Sequence, residues 1–138
     1  MKQDLIIRNI SDSIIVKQEL LQNDAIMFDI TKVADLIVEA FKNGNKLLFC
    51  GNGGSAADAQ HLAAEFSGRY YLNRPPLHAE ALHTDTSFMT AVSNDFSFDE
   101  VYARLIQGIG KQGDILIGMS ASGNSKNCLL YTSDAADE

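Results

Sequence analysis

Two short apolar runs, KLLFC (46–50) and DILIGM (114–119), constrain the fold of this chain more than any other feature. Each has one charged residue, at its start, and a continuous apolar run is typical of a parallel strand buried on both faces. A weaker strand, LHAEAL (77–82), lies between them, and helical segments separate the three. Strands that alternate with helices predict an α/β fold with an open parallel sheet flanked by helices. With three strands visible, we expect the sheet to be incomplete.

Helices are predicted before and between these strands. Periodic apolar residues indicate a pair of helices within residues 1–44, and further helices are expected around residues 87–92 and 98–110. The first helix carries an apolar stripe at near-heptad spacing, formed by Ile7, Ile10, Ile14 and Leu21. This stripe could pack on its own domain or on another subunit, and we favour the second.

Composition narrows the range of functions. The chain has 138 residues, of which 46% are hydrophobic and 21% charged, as in an ordinary globular domain or part of one. A net charge of −7 argues against binding to nucleic acid or to an anionic membrane surface. The first residues scatter charge among apolar positions, unlike a signal peptide, and the sequence has no run long enough for a membrane span. We therefore expect a cytoplasmic protein.

The last residues, CLLYTSDAADE (128–138), do not continue the pattern. A helix is expected to begin after SASGNSKN, but these residues supply an apolar cluster and an acidic end without a packing stripe. We interpret residues 1–127 as one domain, with helices in 1–44 and a partial βα core in 45–127. Residues 128–138 are interpreted as a non-native tail, such as translated adapter sequence.

The loop after the first strand, GNGGS (51–55), is the first candidate site. Its glycines let the backbone turn tightly and approach a ligand, and Ser55 is a natural N-cap that Asp58 would complete. The N–H groups of the following helical turn would form an anion site. A plain strand-to-helix turn explains the loop equally well. Because the loop lacks both a Walker A lysine and the G-x-G-x-x-G pattern, nucleotide binding is not expected.

A second loop, MSASGNS (119–125), also follows an apolar strand and places Ser120, Ser122 and Ser125 around a glycine. Ligands of open α/β sheets bind at the carboxyl ends of the strands, where two such loops would meet. Hydroxyl and N–H groups can hold a phosphate without a large positive charge. One serine-rich turn is common and means little, but two such loops favour phosphate binding.

The helix after the first loop carries His61 and Glu65 at i, i+4 spacing, beside its apolar stripe. Such a pair can chelate one metal ion, and the carboxylate can act as a general base. An exposed ion pair is the commoner outcome of this spacing, but the position of the helix favours a site. A third predicted loop, VSNDFSF (92–98), offers Asn94 and Asp95 to sugar hydroxyls, although such residues often cap turns.

The segments GNGGSAADAQHLAAEFSGRY, NDFSFDEVYAR and SASGNS together resemble the sugar-isomerase (SIS) domain, and within it the phosphoheptose isomerase family. The resemblance runs from about residue 3 to Asn127, in order and in spacing. It implies a flavodoxin-like fold, a homotetramer and a zinc ion at each site. The implied reaction interconverts sedoheptulose 7-phosphate and D-glycero-D-manno-heptose 7-phosphate, a step of lipopolysaccharide heptose synthesis.

The same resemblance implies roles for individual residues. Asn94 and Asp95 match a sugar-contacting pair, and His61 and Glu65 match zinc ligands, with Glu65 also the base. The remaining substrate- and phosphate-binding positions are matched by Asn52, Gly53, Gly54, Ser55, Ser120, Ala121, Ser122 and Ser125.

The family's other metal ligands, a glutamine and a histidine on a late helix, have no counterpart in residues 128–138. We therefore expect little isomerase activity from this chain and full activity from a complete parent. The alternative function is a non-catalytic SIS module that senses a sugar phosphate or binds a protein. Glu65 favours the enzyme, because a binding module needs no base on that helix.

Overall fold

The structure, a computed structural model, describes residues 2–134, which fall into two compact units divided after Val38. The first unit contains α1 (Lys2–Leu21) and most of α2 (Asp24–Lys42). Asn23 lies between these helices and caps α2, because its side-chain oxygen accepts a hydrogen bond of 3.1 Å from the N–H of Ile26. The predicted N-terminal helical pair is confirmed.

The apolar residues of α1 remain exposed in this chain. Within Lys2–Leu21, all of which the structure describes, no residue is buried. The predicted stripe keeps exposures of 54% at Ile7, 57% at Ile10 and 51% at Ile14. That another subunit covers this stripe stays a prediction.

The second unit is built on a three-stranded parallel sheet of β1 (Leu47–Gly51), β2 (Ala79–Ala81) and β3 (Ile115–Met119). The strand order is β2-β1-β3, so β1 is central and pairs with both neighbours. The predicted α/β fold with an open parallel sheet is confirmed, and β2 is shorter than the predicted strand.

Helices cover both faces of this sheet: α3 (Gly54–Ser67), α4 (Thr86–Asp95), α5 (Val101–Ile109) and α6 (Lys126–Asp134), with a 3-10 turn at Phe98–Glu100. On one face, the ring of Phe49 stacks on that of Phe66 from α3, with centroids 6.1 Å apart. Leu48 and Cys50 point to the other face, because successive strand residues alternate. There they join a core cluster with Leu82, Val92, Val101, Tyr102, Ile106 and Cys128.

The structure corrects the predicted start of α3. Its N-cap is Gly53, with a φ of 55°, and no side-chain hydrogen bond caps the helix. The predicted cap by Ser55 and Asp58 is therefore wrong. A positive φ is easy for glycine and rare for other residues, so the chain turns at Gly53 and the helix begins earlier than the serine suggests.

The end of α4 also differs from the sequence analysis. Asp85 caps the start of this helix by accepting a hydrogen bond of 3.0 Å from the N–H of Phe88. The helix then continues to Asp95, so Asn94 and Asp95 lie in its last turn and not in a loop over residues 92–98.

Part of the segment 128–138 belongs to the folded core. Cys128 is buried in α6, and Tyr131 packs against the core cluster. The sequence analysis expected an apolar cluster without a packing stripe here, whereas the structure forms α6 and packs these two residues against the core. Its non-native origin stays a prediction, and residues 135–138 lie outside the described residues. None of the helices within residues 2–134 has the length and hydropathy that a membrane crossing requires.

Candidate functional site

The two predicted loops leave the sheet side by side. β1 and β3 are parallel neighbours, and their last residues, Gly51 and Met119, are partners in the register. Beyond the strands, the side-chain amide of Asn52 donates to Asn127 Oδ1 at 2.8 Å, and that of Asn127 donates back to Asn52 Oδ1 at 3.0 Å. The structure therefore brings the glycine loop and the serine loop together at the carboxyl end of the sheet.

Three serine hydroxyls converge in the second loop. Ser120 Oγ lies 2.8 Å from Ser125 Oγ and 3.3 Å from Ser122 Oγ. The carbonyl of Ser125 accepts the first hydrogen bonds of α6, so this cluster lies at the N-terminus of that helix. Ala121 is an exposed residue of the same loop. Hydroxyl groups at a helix N-terminus are suited to an anion such as phosphate.

Each loop has one glycine with a positive φ, Gly53 at 55° and Gly123 at 68°. A Cβ atom at either position would meet nothing within 4 Å, so the backbone is open on that side. A ligand can therefore approach both loops closely. In the first turn of α3, the N–H of Ser55 already donates to the carbonyl of Asn52 at 3.0 Å. An anion that used this N–H group would compete with that bond.

Lys126 and Arg74, two positive side chains that could serve a phosphate, have other partners. Lys126 is the first residue of α6, and its side chain is 80% exposed. Its Nζ atom lies 3.8 Å from Asp99 Oδ2. Arg74 donates to the carbonyl oxygens of Glu65 and Phe66, at 3.0 and 2.9 Å, near the end of α3. Hydroxyl and amide groups are thus the main polar groups that the two loops present.

His61 and Glu65 share one face of α3, with Nε2 and Oε1 3.5 Å apart. The His61 side chain is 75% exposed and the Glu65 side chain 28%. The pair lines a groove of about 600 Å³ together with Leu62, Phe66, Tyr70, Tyr71, Leu72 and Arg74. Ten residues separate Ser55 from Glu65, about 15 Å along the helix axis. Side chains on a helix tilt towards its N-terminus, which brings Glu65 nearer the loops than its Cα atom.

This pair supplies two donors suited to zinc. An imidazole nitrogen and a carboxylate are ordinary zinc ligands, and tetrahedral sites take about four. Within the described part of the chain, no group of three or more His, Cys, Asp or Glu side chains could hold a metal ion. The residues present therefore fit one half of a zinc site.

Asn94 and Asp95 are not brought to these loops by any contact described for them. Both are exposed at the end of α4, and Asn94 Nδ2 donates to Asp95 Oδ1 at 2.8 Å. Their role in binding a sugar stays a prediction.

Two residues that the sequence analysis missed support the loops. Asn127 is 2% exposed and pairs with Asn52, as described above. Tyr102 reaches from α5 to the end of β1 and donates to the carbonyl of Gly51 at 2.6 Å. Burial, with a smaller effect of the neighbouring thiols, raises the pKa of Tyr102 to about 12, so it is a stable hydrogen-bond donor.

Comparisons with known proteins agree with this architecture. The profile of the SIS domain matches residues 15–138. Over 102 residues the chain is 56% identical to the phosphoheptose isomerase of Akkermansia muciniphila, a region that covers 74% of this chain and 54% of that protein. The solved phosphoheptose isomerase GmhA of Neisseria gonorrhoeae superposes with a TM-score of 0.88 at 39% identity, covering 99% of this chain and 70% of the other. For the enzyme from Francisella tularensis the TM-score is 0.90 at 34% identity, with coverages of 99% and 71%.

The chain therefore belongs to the SIS-domain family. Within that family, the relatives it resembles are phosphoheptose isomerases, as its motifs indicated. The matched regions amount to 54%, 59% and 64% of the first three sequence relatives, so the chain spans little more than half of their length.

Proposed function

We propose that this chain is part of an aldose–ketose isomerase that interconverts sedoheptulose 7-phosphate and D-glycero-D-manno-heptose 7-phosphate. The observation that carries the proposal is the meeting of the two loops at the carboxyl ends of adjacent strands, where the hydroxyls of Ser122 and Ser125 both lie within 3.3 Å of the hydroxyl of Ser120. The names of the relatives support the same substrate class.

The placement of Glu65 fits a substrate of this shape. A heptose 7-phosphate carries its phosphate at C7, at the opposite end of the carbon chain from the reacting C1 and C2. A base for C1 must therefore lie well away from the phosphate site. Glu65 is separated from the first loop in this way, because it lies ten residues after Ser55 on the helix that begins there, and its side chain tilts back towards the loop.

In the proposed reaction, the Glu65 carboxylate takes a proton from C1 of the ketose. The electron pair of the broken C–H bond forms the C1–C2 double bond of an enediol, while the oxygen on C2 gains a proton. Return of the proton from Glu65 to C2, with loss of the O1 proton, gives the aldose. The acid that serves the oxygen atoms is expected from the late histidine of the family, outside the described residues.

We propose zinc as the cofactor, with His61 and Glu65 as two of its ligands. When bound, zinc would polarise the substrate oxygens on which charge develops. The other ligands would come from outside the described residues, which is consistent with the expectation that this chain is weakly active. Sequencing the locus downstream of Asn127 tests whether a glutamine and a histidine follow in the parent gene.

We further propose that the active protein is a cytoplasmic homotetramer that acts in lipopolysaccharide heptose synthesis. The exposed stripe of α1 supports self-association, because a surface with Ile7, Ile10 and Ile14 about half exposed is apolar enough to bind another subunit. Sedimentation of the chain and of an Ile10→Lys variant tests this point. Association that survives the charged substitution would contradict it.

The decisive experiment for catalysis uses the complete parent protein and a Glu65→Gln variant. We expect the variant to bind sedoheptulose 7-phosphate normally but to lose isomerisation and the exchange of the C1 hydrogen with deuterated water. Glu80→Gln, which removes an exposed carboxylate on β2, is the matched control. If Glu65→Gln keeps full turnover, the carboxylate is not the base. If wild-type protein binds the sugar phosphate without exchange or turnover, the chain is a binding module.

A further inference from the structure

The side chains of Asn52, in the glycine loop, and Asn127, in the helical turn that follows the serine loop, form a closed pair. Each carboxamide donates one hydrogen bond and accepts the other, at 2.8 and 3.0 Å. Asn127 is 2% exposed, whereas Asn52 is half-buried. The Asn52 amide also lies 4.0 Å from Cys128 Sγ, a weaker contact to the same turn of α6.

This pair lies just beyond the end of the backbone ladder. The register of β1 and β3 ends at Gly51 and Met119, after which the two loops diverge towards different helices. Asn52 is the next residue after β1, and Asn127 lies in the first turn of α6. The reciprocal bond therefore joins the first residue after β1 to the first turn of α6, beyond the point where the backbone pairing of β1 and β3 ends.

The pair also accounts for both polar groups of each side chain. An amide that is buried without partners is costly, so Asn127 requires a partner of complementary shape, with one donor and one acceptor. Asn52 is such a partner. The side chain of Asn52 is then committed to the protein, and contact with a substrate through it would require this pair to open.

We propose that Asn127 is a positioning residue, which acts through Asn52 to hold the serine loop against the glycine loop in the geometry that encloses a phosphate. This inference rests on the proposed function. It assigns a role to Asn127, and it assigns the side chain of Asn52 to the clamp between the loops. We call this Asn52–Asn127 pair the amide clamp.

A double-mutant cycle with inorganic phosphate as the probe tests the amide clamp in the 138-residue chain. Asn52→Ala and Asn127→Ala should each weaken phosphate binding roughly tenfold, the scale of one lost hydrogen-bonded pair. The double variant should bind no more weakly than either single variant, because each change removes the same pair. A loss in the double variant equal to the product of the single losses would overturn the proposal, since Asn52 would then act on the ligand independently.

Cys128→Ala is the matched control for packing. It removes a buried side-chain atom from the same turn of α6 and leaves both amides in place. We expect its phosphate affinity to stay within about twofold of wild type. If it binds as weakly as Asn127→Ala, loss of packing explains the effect and the positioning role is wrong.

Hydrogen exchange without ligand separates this inference from the proposed function. In Asn127→Ala the backbone amides of residues 53–57 should exchange faster, and in Asn52→Ala those of residues 120–125. If both loops exchange faster in these variants but the protein binds no phosphate, the amide clamp is confirmed and the proposed phosphate site is wrong. If phosphate binds and neither loop responds to the change in the other, the inference is overturned and the function stands. Should Asn127→Ala unfold, Asn52→Ala at the half-buried partner carries both measurements.

Discussion

At both ends of the sheet, side chains link the segment that adjoins β1 to a segment before or after β3, but the chemistry of the two links differs. At the amino end, the buried ammonium of Lys46 contacts Asp114 and donates to the carbonyl of Ile109 at 2.9 Å. Asp114 also accepts the N–H of Lys46 at 3.0 Å and that of Lys111 at 2.8 Å. At the carboxyl end the link is the neutral amide clamp, and the groups around it are hydroxyls and open backbone.

The difference separates stability from function. At the amino end, burial by itself would raise the pKa of Asp114, but the hydrogen bonds from Lys46, Lys111 and Asn45 outweigh it and lower the pKa to about 2. The opposite charges of Lys46 and Asp114 pair with each other, and both carboxylate oxygens of Asp114 accept hydrogen bonds from the protein. At the carboxyl end, the serine hydroxyls bond to one another, and a hydroxyl oxygen with two lone pairs retains capacity to bond a ligand. We infer that the charged network at the amino end stabilises the pairing of the strands, and that the hydroxyl groups at the carboxyl end bind the ligand.

The largest effect on the free energy of unfolding is expected from a substitution at the amino end of the sheet. Asp114→Ala should lower the free energy of unfolding by about 3–5 kcal/mol, because it leaves the Lys46 ammonium buried without its partner. Urea unfolding measures this loss. The control is Asp99→Ala, which removes an exposed carboxylate paired with Lys126 and should cost less than about 1 kcal/mol. Equal losses in the two variants would contradict the assignment of the buried network.

Acid should weaken the same end of the sheet. The pKa of Asp114 lies near 2 in the folded chain, below its ordinary value of 3.8, so the folded state favours the ionised carboxylate. Its contribution to stability is therefore complete above about pH 4 and is lost as the pH falls from 4 towards 2. Unfolding curves across this range should show a steeper loss for wild type than for Asp114→Asn. Parallel curves would show that another group controls acid stability.

At the carboxyl end, substitutions should affect binding more than stability. Ser120→Ala combined with Ser122→Ala should weaken the binding of inorganic phosphate at least roughly tenfold, because two hydroxyl contacts are lost. The free energy of unfolding should change by less than about 1 kcal/mol, since neither side chain is buried. Titration calorimetry and urea unfolding give the two values, with the exposed Ser87→Ala as control. Unchanged phosphate affinity would remove the serine cluster from the site.

The smallest effect is expected from thiol reagents. Cys50 lies at the end of β1 beside the loops, but burial and the neighbouring Cys128 raise its pKa to about 12. Because the thiolate is the reactive form, iodoacetamide should leave Cys50 unmodified at pH 8 in the native chain and modify it in urea. Mass spectrometry after peptide digestion measures this. Rapid native modification would show that the carboxyl end opens more than the structure implies.

The elements that carry both ends of the sheet could be predicted from the sequence. The runs KLLFC and DILIGM became β1 and β3 with shifts of one residue, because a buried parallel strand has a clear apolar signature. The serine loop was also found, since a loop after such a strand lies at the ligand-binding edge of the sheet.

What the sequence did not predict depends on contacts between distant residues or on single backbone angles. Asn127 lies 75 positions from Asn52, and no local pattern marks two amides as partners. The N-cap of α3 was predicted at Ser55 because serine side chains commonly cap helices. The helix instead begins after Gly53, whose positive φ turns the chain there. Asn94 and Asp95 were assigned to a loop because asparagine and aspartate are common in turns, whereas they form the last turn of α4.

The neutral character of the serine loop has a consequence for its response to ionic strength. A phosphate held by arginine or lysine binds more weakly as salt is added, because screening removes the attraction. This chain carries a net charge of −7, so its overall field repels a phosphate that the hydroxyls and amides must hold. Salt shortens the reach of that repulsion to about 8 Å at physiological concentration. Sodium chloride should therefore preserve or strengthen phosphate affinity over the range in which it would weaken a cationic site.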